Sequence, residues 1–206
     1  SVYMIDAGST SIENAAKYRI SGAVRYKGIS QIDYVIVTHP DKDHISAVIE
    51  LLESGDDQHI SIGHILTPSF PENENYKKLV RYAEEKDVPV TDLCEGMKIN
   101  EGELQLLCIH PEKNKRSESI NDDSAVIDLR YGEFCALFTG DLEEQGEKNI
   151  MPYLKSEALR LSGYDLLKIA HHGSAGSSGI EFLKLVSPDV SIISAGVGNV
   201  YGHPHQ

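Results

Sequence analysis

Apolar runs in this chain repeatedly stop on histidine and carboxylate, and that arrangement constrains the fold more than any other feature. The run Ile32–Val37 ends at Thr38-His39-Pro40-Asp41-Lys42-Asp43-His44, which packs two histidines and two carboxylates into six residues. Pro40 cannot continue a strand ladder and restricts His39, so the run is expected to be a buried strand opening into a loop. Helical spacing follows from Ile45, which places Asp43 and His44 at a helix N-terminus. Neutral imidazole and carboxylate are the usual ligands of catalytic zinc or manganese. Helix capping explains Asp43 alone, but not the alternation His39, Asp41, Asp43 with His44 appended.

Composition sets the frame around this motif. The 206 residues, 40% hydrophobic and 25% charged, suit one domain with a sizeable core. No run reaches the length of a membrane span. The net charge of -13 argues against a bulk electrostatic binder of nucleic acid, although a local groove or bound cations can still receive phosphate. The three cysteines form no C-x-x-C pair, so neither a disulfide framework nor a thiolate zinc site is indicated. Cys108 and Cys135 read as small core residues, whereas Cys94 lies near a turn.

Strands and helices alternate along the chain, with hairpins expected in the middle. Strands are expected at 2–6, 32–37, 60–66 and 165–170, and an edge strand at Val88-Pro89-Val90. Helices are expected at 12–26, 45–53, 76–86, 142–161 and 180–186. Strands at 96–100, 104–109, 125–131 and 134–139 form the middle block, with a turn at Tyr131-Gly132-Glu133. A last strand covers 190–194, and the polar segment 112–120 reads as a mobile loop. This order suggests an α/β protein with two sheets between helical layers.

Two further strand ends carry candidate chemistry. Thr139-Gly140-Asp141 offers a carboxylate behind a glycine, and its bland reading is an N-cap. Lys168-Ile169-Ala170-His171-His172-Gly173-Ser174 offers two histidines. Strand alternation would give them different roles and put Lys168 on the face of His172, where it could hold an anion. Asn121-Asp122-Asp123-Ser124 reads as a turn. His110 and His203 are further candidates as ligands or proton donors, whereas His59 and His64 read as ordinary structural or surface residues.

The ordered set Asp6-Ala7-Gly8, His39-x-Asp41-x-Asp43-His44, Thr139-Gly140-Asp141 and Lys168-x-x-His171-His172-Gly173-Ser174 resembles the metallo-β-lactamase superfamily. It is most similar to the ComEC branch of competence DNA-internalisation proteins. Aspartate at position 41, Asn121–Ser124 and Tyr201-Gly202-His203-Pro204 are part of that likeness. A Gly-Gln-Gly-Asp turn usual before the Asp6 strand is missing, and the superfamily's mid-domain histidine has no counterpart near Asn121. The resemblance implies a four-layer αββα sandwich with a metal site at one edge between the sheets. It implies a single domain over 1–206, a fragment lacking the first strand and the final helix of a larger protein.

By the same resemblance, His39 and Asp41 would hold one divalent ion, manganese or zinc. Asp43, His44 and one of His171 and His172, with His172 preferred, would hold a second, and Asp141 would bridge. Asp43, His171, Lys168, Ser124 and His203 are the candidate catalytic or substrate-contacting groups. The implied activity is a phosphodiesterase acting on single-stranded DNA during uptake, with no small organic cofactor. The implied setting is the outer face of the cell membrane, tethered to a channel in the same parent chain. Fold does not fix substrate, so hydrolysis of a small phosphodiester, ester or lactone is the alternative, and a non-catalytic DNA-guiding domain is an alternative of another class.

Overall fold

The computed structural model describes residues 1–54, 60–159 and 162–205, which fall into two compact units, Ser1–Leu93 and Cys94–Gln206. His59 and the expected end of the 142–161 helix lie outside the described residues.

In the first unit, β1 (Tyr3–Ile5), β2 (Gln31–Ile36), β3 (Ser61–Thr67) and β4 (Val90–Asp92) form a parallel sheet in that order. Ile32, Val35, Ile36 and Ile65 are buried, as the near-continuous apolar runs of parallel strands require. β4 is an edge strand, but it begins at Val90; Pro89 stands before it and gives its carbonyl to Ile65 N–H (2.9 Å). Helix α1 (Ser21–Tyr26) is preceded by a wider π-helical turn over Ala16–Ile20, so the helical segment starts later than the sequence suggests. Helix α2 (Lys42–Ser54) buries Ile45, Val48, Ile49 and Leu52, an i, i+3, i+4, i+7 stripe. Helix α3 (Glu74–Glu85) starts at Asn73, whose side chain accepts the N–H groups of Asn75 and Tyr76.

The second unit holds a six-stranded mixed sheet. Its strands are β5 (Lys98–Glu101), β6 (Leu104–His110), β7 (Val126–Tyr131), β8 (Phe134–Phe138), β9 (Leu166–Lys168) and β10 (Val190–Ile192), in the order β10-β9-β8-β7-β6-β5. Tyr131 pairs with Phe134, leaving Gly132-Glu133 as a two-residue turn with Gly132 at φ 57°. Helices α4 (Glu144–Ala158) and α5 (Ile180–Val186) bury Ile150, Leu154, Phe182 and Val186 in this unit's core.

One expectation about local structure fails here. Strand β9 stops at Lys168 rather than running to Ala170. His171 (φ 45°) and His172 (φ 53°) both take the left-handed conformation in a tight turn, Ala170–Gly173. Strand alternation therefore does not govern where the two histidines point, nor does it pair Lys168 with His172.

Candidate metal centre

In the first unit, β1 and β2 run parallel, with Ile5 beside Ile36, so the residues just beyond their ends meet. Asp6 ends β1 in a left-handed conformation (φ 54°), and its carboxylate collects the Thr38 N–H (2.7 Å) and the Thr38 hydroxyl (2.7 Å). The same carboxylate meets His44 Nδ1 at 2.7 Å. Burial alone would raise the Asp6 pKa, but His44, its hydrogen bond, His39 and the Thr38 N–H outweigh that and hold it below the usual carboxylate range.

An ionised carboxylate only accepts, so His44 Nδ1 carries the proton, and Nε2 is the nitrogen that holds a lone pair when the ring is neutral. The Thr38 hydroxyl spends its hydrogen on Asp6, so at the 3.2 Å contact His39 Nδ1 donates to the Thr38 oxygen. His39 thus also presents an Nε2 lone pair. The two imidazoles are buried with ring centroids 4.1 Å apart, and His39 Nε2 lies 3.8 Å from Asp41 Oδ2. Asp41 gives its carbonyl to the N–H groups of His44 and Ile45, while Asp43 sits inside the first turn of α2, so Asp43 is not the cap. Gly8 keeps this corner tight: a Cβ there would fall 2.5 Å from the Lys42 carbonyl oxygen.

In the second unit, Asp141 follows β8 and is buried; Ser124, fully buried, accepts the Asp141 N–H with its hydroxyl (3.2 Å). Helix α4 takes Glu143 at its N-cap, which removes capping as the reason for Asp141. Asp141 Oδ2 stands 3.5 Å from His172 Nε2 and 4.0 Å from His171 Nε2. His172 Nδ1 donates to the Ser194 carbonyl (2.6 Å), which leaves Nε2 as a lone-pair donor. His171 Nδ1 instead faces Glu143 Oε1 at 3.1 Å. Ring contacts link His203 to His171 (5.5 Å between centroids) and His172 (6.5 Å). Burial and the neighbouring imidazoles of His171, His205 and His172 hold the His203 pKa down.

Several candidates have contacts that the sequence does not suggest. Ser124 is sealed from solvent, with its hydroxyl on the Asp141 N–H. The Lys168 ammonium turns back on the Ile169 carbonyl (2.9 Å), and the Lys168 carbonyl takes the Thr139 hydroxyl. His110 is buried away from the Asp141 histidines, its Nε2 on the Asp122 carbonyl (2.7 Å), beside a pocket of about 680 Å³ also lined by Glu95, Arg116 and Asp123. The 112–120 loop borders the same pocket, and its Ser117 N–H is gripped by both Asp123 oxygens (3.0 Å each). His64 bonds Thr91 Oγ1 (2.8 Å) and is structural. Sequence reasoning had no place for Thr38, Glu143 and Ser194, and it gave Asp6 no partner; the acid at the end of the strand before the motif was the available signal.

Comparison with known proteins agrees with this geometry. Residues 1–111 match the metallo-beta-lactamase superfamily. The chain is 35% identical over 184 residues to ComE operon protein 3 of Bacillus subtilis (strain 168), covering 87% of this chain and 22% of that protein. It is 25% identical to Competence protein ComA of Neisseria gonorrhoeae over 98% of this chain and 25% of that protein. The chain thus spans a quarter or less of the curated relatives it matches. The crystal structure of CmlA, a diiron beta-hydroxylase from Streptomyces venezuelae, superposes with a TM-score of 0.50 at 17% identity, over 79% of this chain and 35% of that one, a likeness of fold. Among the described residues no helix is long and apolar enough to cross a membrane.

Proposed function

Because the chain belongs to the metallo-β-lactamase superfamily and has its α/β fold, we propose that it is a divalent-metal-dependent phosphodiesterase that cuts single-stranded DNA during DNA uptake. The observation that carries this reading is the shared anchoring of His39 and His44. One carboxylate, Asp6, fixes both imidazoles, directly and through Thr38, so that each offers a neutral Nε2. Buried neutral imidazoles with locked tautomers beside carboxylates are what a divalent ion requires of its donors.

The residues that would hold divalent metal, two manganese or zinc ions in this reading, are His39, Asp41, Asp43, His44, Asp141 and His172. Such a pair would supply a nucleophile from water at neutral pH and clamp the oxygens of an in-line displacement. The chain's own residues then have distinct tasks. Asp6 fixes the Nδ1 proton of His44 directly and that of His39 through Thr38, the Ser194 carbonyl fixes that of His172, and Ser124 holds the Asp141 backbone in place. His171, close to Glu143, and His203 are the groups left to meet substrate or protonate the leaving oxygen.

The name of the Neisseria gonorrhoeae relative, a competence protein, supports DNA as the substrate. The same reading makes the chain part of a longer membrane protein, facing the outer side of the cell membrane and feeding a channel in the same parent chain. The test is manganese-dependent cleavage of a labelled single-stranded oligonucleotide, run beside bis(4-nitrophenyl) phosphate and with Asp43→Ala as control. Cleavage of the oligonucleotide, lost in Asp43→Ala with folding intact, is expected. Cleavage of the small diester alone would replace DNA by a small phosphodiester, ester or lactone. Metal-independent oligonucleotide binding without cleavage of either would favour a DNA-guiding domain.

A further inference from the structure

The strong negative charge of the chain is not spread evenly. Between Glu13 and Asp33 there are four basic residues, Lys17, Arg19, Arg25 and Lys27, and no acidic one. Elsewhere several exposed lysines sit one helical turn from an acid, as in Lys77 with Glu74, Lys148 with Glu144 and Lys184 with Glu181. Along Ala16–Lys27, the π-helical turn, α1 and its C-cap, all four basic residues are exposed. Interleaved with them are Tyr18 and Tyr26, which are 65% and 92% exposed. Lys17 Nζ lies 5.6 Å from the Tyr18 ring centre.

We infer that the exposed face of Lys17–Lys27 is a landing surface for single-stranded DNA, with Lys17, Arg19, Arg25 and Lys27 on phosphates and Tyr18 and Tyr26 as stacking platforms for bases. This deepens the proposed function and rests on it for the identity of the strand. Cationic side chains tracking a backbone, interleaved with exposed aromatic rings, are the means by which proteins hold single strands without reading sequence. Two tyrosines eight residues apart on a helix are separated by roughly 12 Å, several times the ~3.4 Å spacing of stacked bases, so they would engage bases that are not neighbours.

The apolar side of the same segment decides against a membrane surface. An interfacial helix needs an apolar face free to enter lipid. Here Ala15 and Ala16 are buried in the core, with Ile20 and Val24 packed against it. Only the tyrosine rings would be left to insert. The surface is also fixed to the helix that carries the candidate ligands: Ala16 N–H donates to Glu50 of α2 at 2.8 Å. Glu50 lies six residues, roughly 9 Å of helix, from His44.

The test measures binding of a fluorescent oligothymidine to the chain by anisotropy, in chelator, over a series of salt concentrations. Two variants are compared: one with Lys17→Gln, Arg19→Gln, Arg25→Gln and Lys27→Gln, the other with Tyr18→Ala and Tyr26→Ala. Thermal unfolding confirms that both fold. The charge variant is expected to make the slope of log affinity against log salt shallower by about 3, since each phosphate deprived of its cation removes ~0.7 from the slope. The tyrosine variant is expected to lose at least about tenfold in affinity with its slope kept. Unchanged binding in both variants, or no binding by the unaltered chain, overturns the inference. Sedimentation with phosphatidylglycerol vesicles that depends on Tyr18 and Tyr26, without oligonucleotide binding, would overturn it in favour of a membrane surface. Because chelator removes hydrolysis from the readout, binding through this surface with no cleavage would count against the nuclease alone. Cleavage by a chain indifferent to these substitutions would count against the surface alone.

Discussion

Asp6 illustrates what a single residue does here. Its carboxylate takes two bonds from Thr38 and one from His44, and so sets two imidazoles whose sequence positions are 33 and 38 residues away. Asp6→Asn would swap one accepting oxygen for an amide donor and scramble both tautomers. Metal affinity is expected to fall by about 10–100-fold while the fold persists, as measured by competition with a chromogenic chelator. The sequence marks Asp6 only as an acid at a strand end, because its contacts exist only through the parallel pairing of β1 with β2. His171 and His172 were illegible for a different reason. A left-handed turn leaves no mark on hydrophobic periodicity, so alternation was the wrong rule for them.

His110 gives a pH dependence at the same scale. Burial lowers its pKa, overriding the Asp122 carbonyl and the nearby charges of Asp123, Glu95 and Asp122, so the folded state favours the neutral ring. The unfolded chain then binds the proton more readily, and stability rises with pH in this range. The stability gained from neutral His110 is present above the unfolded value, about 6.5, and drains away as pH falls below it. Urea midpoints between pH 7.5 and 5 are expected to decline less in His110→Gln than in the unaltered chain.

At the level of elements, strand ends were legible and helix beginnings less so. β2 and α2 follow from a β-branched run, Pro40 and an i, i+3, i+4, i+7 stripe, each a local signal. The sequence suggests one long helix from residue 12, yet the helical segment begins at Ala16 with a π-helical turn. Its periodicity does not distinguish a π turn from an α turn. Asp128 is hidden within an apolar strand whose signal is its hydrophobicity. In β7 it is buried and accepts from Arg130 (2.9 and 2.8 Å), Tyr153 (2.6 Å) and Tyr164 (2.8 Å). Asp128→Ala would leave an arginine and two tyrosines short of their acceptor and is expected to destabilise the second unit by about 3 kcal/mol or more. Urea denaturation followed by tyrosine fluorescence measures the loss, and an unchanged midpoint would show that β7 does not depend on this cluster.

For the whole chain, family and fold class were readable because several apolar runs end in a recognisable set of donors, in a recognisable order. The competence relatives share 35% and 25% identity, yet every strand-end motif can be read in this chain alone. Division into two compact units was not legible in the sequence, since no linker or composition shift marks residue 93. The central proposal is that His39, Asp41, Asp43, His44, Asp141 and His172 are donors for divalent metal. Elemental analysis after loading with manganese or zinc and removal of excess ion tests it most directly, with Asp141→Ala measured in parallel. The expected result is about two ions per chain, as in two-metal hydrolytic sites, falling in Asp141→Ala. A chain that retains no ion under these conditions, although folded, would contradict the account.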